Sequence, residues 1–235
     1  MKRDVIIACD FSSREATFEF LKKIKARKPY VKIGMELFYS EGPDMVRELK
    51  AEGYSVFLDL KLHDIPNTVR KSMRALGALG ADMVNLHAAG GYEMMRAARE
   101  GLDEGSRGSS PLLIAVTQLT STSQQMLESE LLIREPMESV VAAYAENSRR
   151  AGADGVVCSP LESAAVKARC GAAFLTVTPG IRYASGTDDQ TRITTPQRAR
   201  ELGSDFIVVG RPITAADDPD REYRRIAADF LGGEI

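Results

Sequence analysis

The chain has 235 residues, of which 44% are hydrophobic and 27% charged, and its formal net charge at pH 7 is -2. This length allows one large α/β barrel or two small domains with a substantial core. The balanced charge gives no indication of a nucleic-acid partner, and the longest apolar runs, such as residues 206–209, are too short to span a membrane.

The start of the chain and the cysteines indicate a cytoplasmic protein. The first residues, Met1 to Val5, pass directly into a strand pattern, so no signal peptide is predicted. The three cysteines, Cys9, Cys158 and Cys170, are odd in number and show no Cys-x-x-Cys spacing, which is typical of reduced thiols. Cys9 and Cys158 lie in apolar runs, so we expect both to be buried.

Short apolar runs alternate with amphipathic helical stretches along the whole chain. The predicted strands are residues 5–9, 30–34, 55–60, 83–87, 112–116, 155–158, 174–177 and 206–209. The predicted helices are residues 14–25, 44–52, 68–79, 92–102, 137–151, 161–168, 196–202 and 220–230. Such alternation is typical of βα units that build a parallel sheet.

Eight βα units of this total length predict a single (β/α)8 TIM barrel of the α/β class. No change in composition and no linker divides the chain, so residues 1–235 are expected to form one domain. A doubly wound sheet is the alternative. Its Gly-rich phosphate-binding turn is not found after the first strand, where Asp10-Phe11-Ser12 stands instead.

The carboxyl ends of barrel strands are where catalytic residues are expected. Strand one ends at Asp10, which either caps the following helix or takes part in binding. Strand two carries Lys32 between Val31 and Ile33, where an ammonium group is costly unless carboxylates face it. Asp59 on the next strand is a candidate partner for Lys32.

Residues 54–68 concentrate charge at the end of strand three. Asp59 and Lys61 are two residues apart, so they should project to one face of the strand while the neighbouring leucines project to the other. In a parallel sheet that is covered on both faces, such charges must be paired. A structural ion pair is the alternative to a catalytic one. Asp64 and the helix start at Pro66-Asn67-Thr68 favour the catalytic interpretation.

Strands four and five end in weaker signals. His87 is a candidate general base or a hydrogen-bonded structural histidine. The chain has only two histidines, His63 and His87, and no Gly-x-Ser-x-Gly motif, which argues against a serine-histidine hydrolase. Thr117 to Ser123 and the polar stretch that follows exceed the usual length of a βα loop, so this segment is a candidate lid or a Ser/Thr-rich helix cap.

Two arginines follow the last two strands. Arg182 stands after Pro179-Gly180-Ile181, and Arg211 stands between Gly210 and Pro212. Barrels often bind a phosphate group at these two loops, where a glycine lets the backbone approach and an arginine can contact two oxygens. The pair therefore predicts a phosphate site.

The ten residues Asp59-Leu60-Lys61-Leu62-His63-Asp64-Ile65-Pro66-Asn67-Thr68 resemble the catalytic signature of the orotidine 5'-monophosphate decarboxylase family. The segments 177–182, Val-Thr-Pro-Gly-Ile-Arg, and 209–214, Val-Gly-Arg-Pro-Ile-Thr, are also similar to segments of that family. The resemblance implies decarboxylation of orotidine 5'-monophosphate to UMP in pyrimidine biosynthesis, without a metal or other cofactor.

The same resemblance implies roles for individual residues. The catalytic array would consist of Lys32, Asp59, Lys61 and Asp64. The substrate-binding residues would be Asp10, Lys32, Ile65, Thr68, Thr120, Pro179, Arg182, Gln190, Gly210 and Arg211. Among them, Asp10 would bind ribose hydroxyls and Thr120 the amide edge of the pyrimidine. The family resemblance also implies a homodimer with shared active sites, in which Asp64, Ile65 and Thr68 reach into the partner's site.

Lys61 between two carboxylates is expected to be an ammonium group that stabilises a carbanion and then donates a proton. A Schiff-base lysine is the rival use, but it needs a neutral amine. A magnesium-dependent sugar-phosphate enzyme of the same barrel superfamily is the enzymatic alternative, and Lys32 argues against it because an ammonium repels a divalent cation. A non-catalytic phosphosugar-binding barrel is the other alternative, and it would not need Asp59, Lys61 and Asp64 together.

Overall fold

The computed structural model describes residues 3–183 and 194–233. Its eight strands pair in parallel in the order of the chain, and the sheet closes where the last strand pairs with the first. The strands are β1 (Asp4–Ala8), β2 (Tyr30–Gly34), β3 (Ser55–Leu62), β4 (Met83–His87), β5 (Leu112–Val116), β6 (Gly155–Val157), β7 (Leu175–Thr178) and β8 (Phe206–Val209). The predicted TIM barrel is confirmed, and every predicted strand is present with small shifts at its ends.

The helices of the described ranges surround this barrel. They are α1 (Arg14–Leu21), α2 (Met35–Glu41), α3 (Pro43–Ala51), α4 (Pro66–Gly77), α5 (Gly91–Gly105), α6 (Gln124–Ser129), α7 (Met137–Arg150), α8 (Ser163–Cys170), α9 (Pro196–Glu201), α10 (Arg211–Thr214) and α11 (Pro219–Leu231). All eight predicted helices are found. The sequence did not predict α2, α6 and α10, which are only seven, six and four residues long and therefore give little apolar periodicity. Of the helices this short, α9 was predicted. None of the described helices is both long and apolar enough to cross a bilayer.

Side chains inside the barrel form two layers along the strands. The lower layer is an apolar core that includes Ile6, Tyr30, Phe57, Met83 and Ile114. Successive residues of a strand point to opposite faces, so the residues two positions further along face the interior again. These are Ala8, Lys32, Asp59, Asn85 and Val116, and they line a cavity above the core. Lys32 of β2 and Asp59 of β3 therefore reach the cavity floor because of the strand period.

A repeated contact joins the strands at the opposite, amino-terminal end of the barrel. Each of the tripeptides Gly80-Ala81-Asp82, Gly152-Ala153-Asp154 and Gly203-Ser204-Asp205 directly precedes an even-numbered strand, and each glycine has a positive φ. Each aspartate accepts the backbone N–H of the second residue of the preceding strand, at 2.7 to 2.8 Å from Val56, Leu113 and Thr176. It also pairs with a basic residue of the helix before that strand, namely Lys50, Arg99 and Lys167. This end of the barrel is where residues that serve stability are expected.

Candidate active site

A cavity of about 800 Å³ opens at the carboxyl ends of the strands. Most of the predicted site residues line it: Asp10, Lys32, Asp59, Lys61, Thr120, Pro179, Arg182, Gly210 and Arg211. These residues come from loops and strand ends that are far apart in the chain, and barrel closure brings them together.

Four of these residues form a row of alternating charge. The Lys32 Nζ lies 2.9 Å from the Asp10 Oδ1 and 3.4 Å from the Asp59 Oδ2. The Lys61 Nζ lies 2.7 Å from the other oxygen of Asp59. Asp59 is only 7% exposed and is therefore held between two ammonium groups inside the barrel. The predicted pairing of Lys32 and Lys61 with Asp59 has direct geometric support.

The surroundings of this row keep both buried charges ionised. Burial alone would raise the pKa of Asp59, but the charges of Lys32 and Lys61, with hydrogen bonds from Lys61 and Asn85, hold that pKa below its usual value. Burial would likewise lower the pKa of Lys32, but Asp59 and Asp10 outweigh it, so the pKa of Lys32 is raised. Lys32 is a cation and Asp59 an anion at neutral pH.

Strand β3 does not keep a regular pleat up to Lys61. The pairing of β3 with β4 passes from Leu58 opposite Val84 to Leu62 opposite Leu86, so four steps along β3 match two along β4. Within this bulge Lys61 has a φ of 50°, in the left-handed region that residues with a Cβ rarely adopt. The prediction that Asp59 and Lys61 lie on one side is correct, but a bulge, and not simple alternation, aims Lys61 into the cavity.

Asn85 is a site residue that the sequence prediction missed. It is buried at the third position of β4, lines the cavity, and contacts both Asp59 and Lys61. A signal was available, because Asn85 interrupts an apolar strand just as Lys32 does. A buried amide must find partners, as a buried ammonium must.

The three residues assigned to a shared site lie outside this cavity. Asp64 is exposed, and its Oδ1 accepts the N–H of Ile65 at 2.6 Å. Ile65 is 68% exposed, and Thr68 is exposed on α4. Within the described part of a single chain, Lys61 is thus paired with Asp59 and not with Asp64. Gln190 lies outside the described residues.

Two segments had competing interpretations as helix caps. After β1, the cap of α1 is Ser13, whose Oγ accepts the Ala16 N–H at 3.2 Å, so Asp10 is left to face Lys32. After β5, Ser123 caps α6 by accepting the Met126 N–H at 3.1 Å, while Thr120 lines the cavity. The long β5 excursion therefore contains both a helix cap and a wall of the cavity.

His87 lies half-buried at the end of β4, with its ring centroid 5.6 Å from that of His63. Burial, His63 and Lys61 lower the pKa of His87, and Asp59 opposes them less. His87 is therefore neutral at pH 7, and it lies outside the set of described residues that line the cavity.

A second cationic region lies across the barrel from Lys61. Arg182 follows β7, which stands opposite β3 in an eight-stranded ring, and Arg211 follows β8. Helix α10 begins at Arg211, directly after Gly210. A Cβ at Gly210 would meet only the Ala8 side chain, at 3.6 Å, so the backbone there is open to approach. This is the geometry expected of the predicted phosphate site.

The comparison with known proteins identifies the family. Residues 3–226 match the sequence profile of the orotidine 5'-phosphate decarboxylase / HUMPS family. The chain belongs to this family. It is 53% identical over its whole length to the orotidine 5'-phosphate decarboxylase of Geobacillus kaustophilus, 97% of which is covered. It is 51% identical, over 99% of both chains, to the enzyme of that name from Bacillus cereus strain AH820.

Solved structures of similar chains have the same fold. The crystal structure of orotidine 5'-phosphate decarboxylase from Lactobacillus acidophilus has a TM-score of 0.88 at 44% identity, covering 97% of this chain and 99% of that one. An uncharacterized conserved protein from Geobacillus kaustophilus has a TM-score of 0.86 at 50% identity, covering 96% and 99%. The resemblance to the decarboxylase family seen in the sequence is confirmed.

In this member of the orotidine 5'-phosphate decarboxylase family, an ammonium group fills the position between the carboxylates of Asp10 and Asp59. The described ranges contain no cluster of three or more His, Cys, Asp or Glu side chains able to hold a metal ion. Lys32 and Lys61 supply the positive charge of this end of the cavity.

Proposed function

We propose that this chain decarboxylates orotidine 5'-monophosphate to UMP in pyrimidine biosynthesis, in the cytoplasm and without a metal or other cofactor. The observation that carries the proposal is the Lys61 ammonium group, 2.7 Å from a buried, ionised Asp59 and facing a cavity with two arginines on its far side. Membership of the family and the names of its relatives support the same reaction.

The chemical problem is the negative charge left on the pyrimidine ring. When the bond between C6 and the carboxylate breaks, its electron pair stays on C6, where no adjacent carbonyl can accept it. Lys61 stabilises this charge as a fixed cation and then donates a proton to C6. The Lys61 side chain is ion-paired with Asp59, so the array acts as a proton donor and not as a Schiff-base nucleophile, which would need a free neutral amine.

Contacts to the rest of the substrate supply further binding free energy for the reaction. Arg182, Arg211 and the backbone at Gly210 would bind the phosphate group, across the barrel from the reacting carbon. Asp10 would accept hydrogen bonds from the ribose, and Thr120 would contact the pyrimidine. Pro179 and Gln190 would also contact the substrate. Binding energy gained at the phosphate can then hold the ring against Lys61.

We also propose a homodimer with shared active sites. Ile65 is 68% exposed, and further large apolar side chains are exposed on the segments that follow β2 and β4, namely Met35, Tyr39 and Tyr92. A second copy that covers this surface would bury them. It would also bring Asp64, Ile65 and Thr68 to the partner's cavity, which would give Lys61 its second carboxylate.

The magnesium-dependent sugar-phosphate enzyme is not favoured. The Lys32 ammonium lies within 3.4 Å of both Asp10 and Asp59, where a divalent cation would need those oxygens.

Three candidate functions are separated by incubating the protein with orotidylate or with a sugar phosphate, each with and without EDTA. We expect orotidylate absorbance to be lost with EDTA present. Turnover of a sugar phosphate that EDTA abolishes would support the magnesium enzyme instead. Binding of either ligand without turnover would support the non-catalytic barrel.

Shared sites are tested by mixing two inactive variants, Lys61→Ala and Asp64→Ala. A heterodimer of the two would hold one intact site and one doubly altered site. Because random exchange makes half of the dimers mixed, we expect about a quarter of the wild-type activity to return. Activity that stays at the level of the separate variants would contradict the shared site.

A further inference from the structure

We infer that Asn85 is a positioning residue that sets the location of the Lys61 ammonium group for this reaction. The inference rests on the proposed function, since it concerns the same site. Asn85 is 1% exposed and stands on β4, next to the strand that carries Asp59 and Lys61.

The carboxamide of Asn85 contacts both members of the catalytic pair. Its Oδ1 accepts the backbone N–H of Lys61 at 2.8 Å, and its Nδ2 donates to the Asp59 Oδ1 at 2.6 Å. That same carboxylate oxygen accepts the Lys61 Nζ at 2.7 Å. The orientation of the amide is fixed because a backbone N–H can only donate and an ionised carboxylate can only accept. Asn85, Asp59 and Lys61 thus form a closed triangle of hydrogen bonds.

Lys61 needs this support because its backbone is in an unfavourable conformation. Its φ of 50° lies in the left-handed region, and the ladder between β3 and β4 is interrupted there. Such conformations persist only where the surrounding structure holds them. A buried N–H that loses its ladder partner also requires another acceptor. The side chain of Asn85 provides that acceptor in place of a β4 carbonyl.

The two contacts act on different parts of the array. The bond to the Lys61 N–H holds the backbone from which the side chain extends. The bond to Asp59 fixes the carboxylate against which the ammonium rests. Other charged or titratable side chains at this end of the cavity are Lys32, which pairs with Asp59 and Asp10, and His87, whose ring lies 5.6 Å from that of His63. The hydrogen bond to the Lys61 backbone N–H comes from Asn85.

Loss of Asn85 should therefore lower turnover more than substrate affinity. A displacement of a catalytic group by about 1 Å costs on the order of 10²-fold in rate. The arginines assigned to the phosphate follow β7 and β8, across the barrel from β3 and β4, so we expect the loss of Asn85 to leave their positions unchanged.

The test compares three variants of the full-length protein with wild type. Asn85→Leu removes both hydrogen bonds at similar volume. Asn85→Asp keeps the acceptor for the Lys61 N–H but places a carboxylate against Asp59. Ser204→Ala is the matched control, because the Ser204 hydroxyl bonds to Thr178 and lies near Ser163 in a buried cluster outside the cavity. Thermal unfolding, kcat and KM are measured for each, and kcat is also measured against pH.

For Asn85→Leu we expect kcat to fall by about 10²-fold while KM stays within about threefold. For Asn85→Asp we expect activity relative to wild type to rise as the pH falls. The two like charges raise the pKa of the introduced carboxyl, and its protonated form can again donate to Asp59. Ser204→Ala should unfold at a lower temperature and keep the wild-type kcat.

Three results would overturn the inference: Asn85→Leu with a kcat within about threefold of wild type, a loss that falls on KM alone, or an Asn85→Asp variant whose pH profile parallels that of wild type. The wild-type measurement tests the proposed function independently. A wild-type protein that does not convert orotidylate refutes the proposed function and, with it, this inference. An active wild type together with an Asn85→Leu variant of unchanged kcat refutes the inference alone.

Discussion

Replacing Lys61 with alanine is the most direct test of the proposed chemistry. The substitution removes the ammonium group proposed to act on C6 but leaves Asp59 with two other partners, the Lys32 Nζ at 3.4 Å and the Asn85 Nδ2 at 2.6 Å. The carboxylate is therefore not left unpaired in the barrel. We expect the free energy of unfolding to change by about 1 kcal/mol or less, because the lost ion pair is partly exposed.

The expected loss of rate follows from Coulomb's law for an ammonium group beside the developing carbanion. An ammonium group about 4 Å from the developing carbanion, at an effective dielectric constant of about 20, stabilises the carbanion by about 4 kcal/mol. That energy corresponds to about 10³-fold in rate. Loss of the proton donor removes a further 10²- to 10⁴-fold, roughly. We therefore expect kcat to fall by about 10⁵-fold or more.

The assay follows the absorbance of orotidylate at saturating substrate, with UMP quantified at the end point. Lys23→Ala removes an exposed lysine far from the cavity and should keep the wild-type rate. Thermal unfolding of both variants shows whether each is folded. A folded Lys61→Ala variant that keeps kcat within about 100-fold of wild type would refute the role of Lys61, since neither electrostatic stabilisation nor proton donation would then depend on it.

Three further predictions concern binding and stability. Arg211→Ala should raise the KM for orotidylate by about 10- to 100-fold, because a charged hydrogen bond to the phosphate is lost. The KM for orotidine, which has no phosphate, should barely change. An equal rise in KM for both substrates would contradict a phosphate contact. Asp205→Ala should lower the free energy of unfolding by about 3 kcal/mol, because the Thr176 N–H and the Lys167 ammonium lose their shared partner. The kcat at 25 °C should stay unchanged. An altered kcat would show that the amino-terminal end of the barrel affects the active site. The pKa of Asp59 is lowered in the fold, so its contribution to stability is present above the unfolded pKa of about 4 and is lost as the pH falls through the lower folded value. The difference in unfolding free energy between wild type and Asp59→Asn should thus be constant near neutrality and decrease toward zero in acid. A difference that grows in acid would show that the pKa of Asp59 is raised in the fold and not lowered.

The barrel itself could be predicted because its signal is repeated eight times. Each strand is an apolar run bounded by polar or glycine residues, and a small error at one boundary does not change the count. The short helices α2, α6 and α10 carry no such repetition, and only tertiary packing fixes where they begin and end. The Gly80-Ala81-Asp82 repeat was also visible in the chain, but its meaning depends on strands that pair across the barrel.

The types of residue at the site were likewise determined by the sequence. Lys32, Asp59 and Lys61 are charges in apolar strands, which must find partners once both faces of the sheet are covered. The local sequence also placed Asp64 beside Lys61, yet within one chain Asp64 turns outward and bonds to the Ile65 N–H. Supply of that carboxylate by a second copy depends on assembly, which no local sequence pattern determines.

What only the tertiary structure decided is how the charges are held. Asn85 and Lys61 are 24 residues apart, and nothing in either segment indicates that one amide serves both the backbone of Lys61 and the carboxylate of Asp59. That contact exists because β4 lies beside β3 and because the bulge turns the Lys61 N–H toward the neighbouring strand. Sequence patterns report which groups must be satisfied, whereas the register between strands determines which partner satisfies each of them.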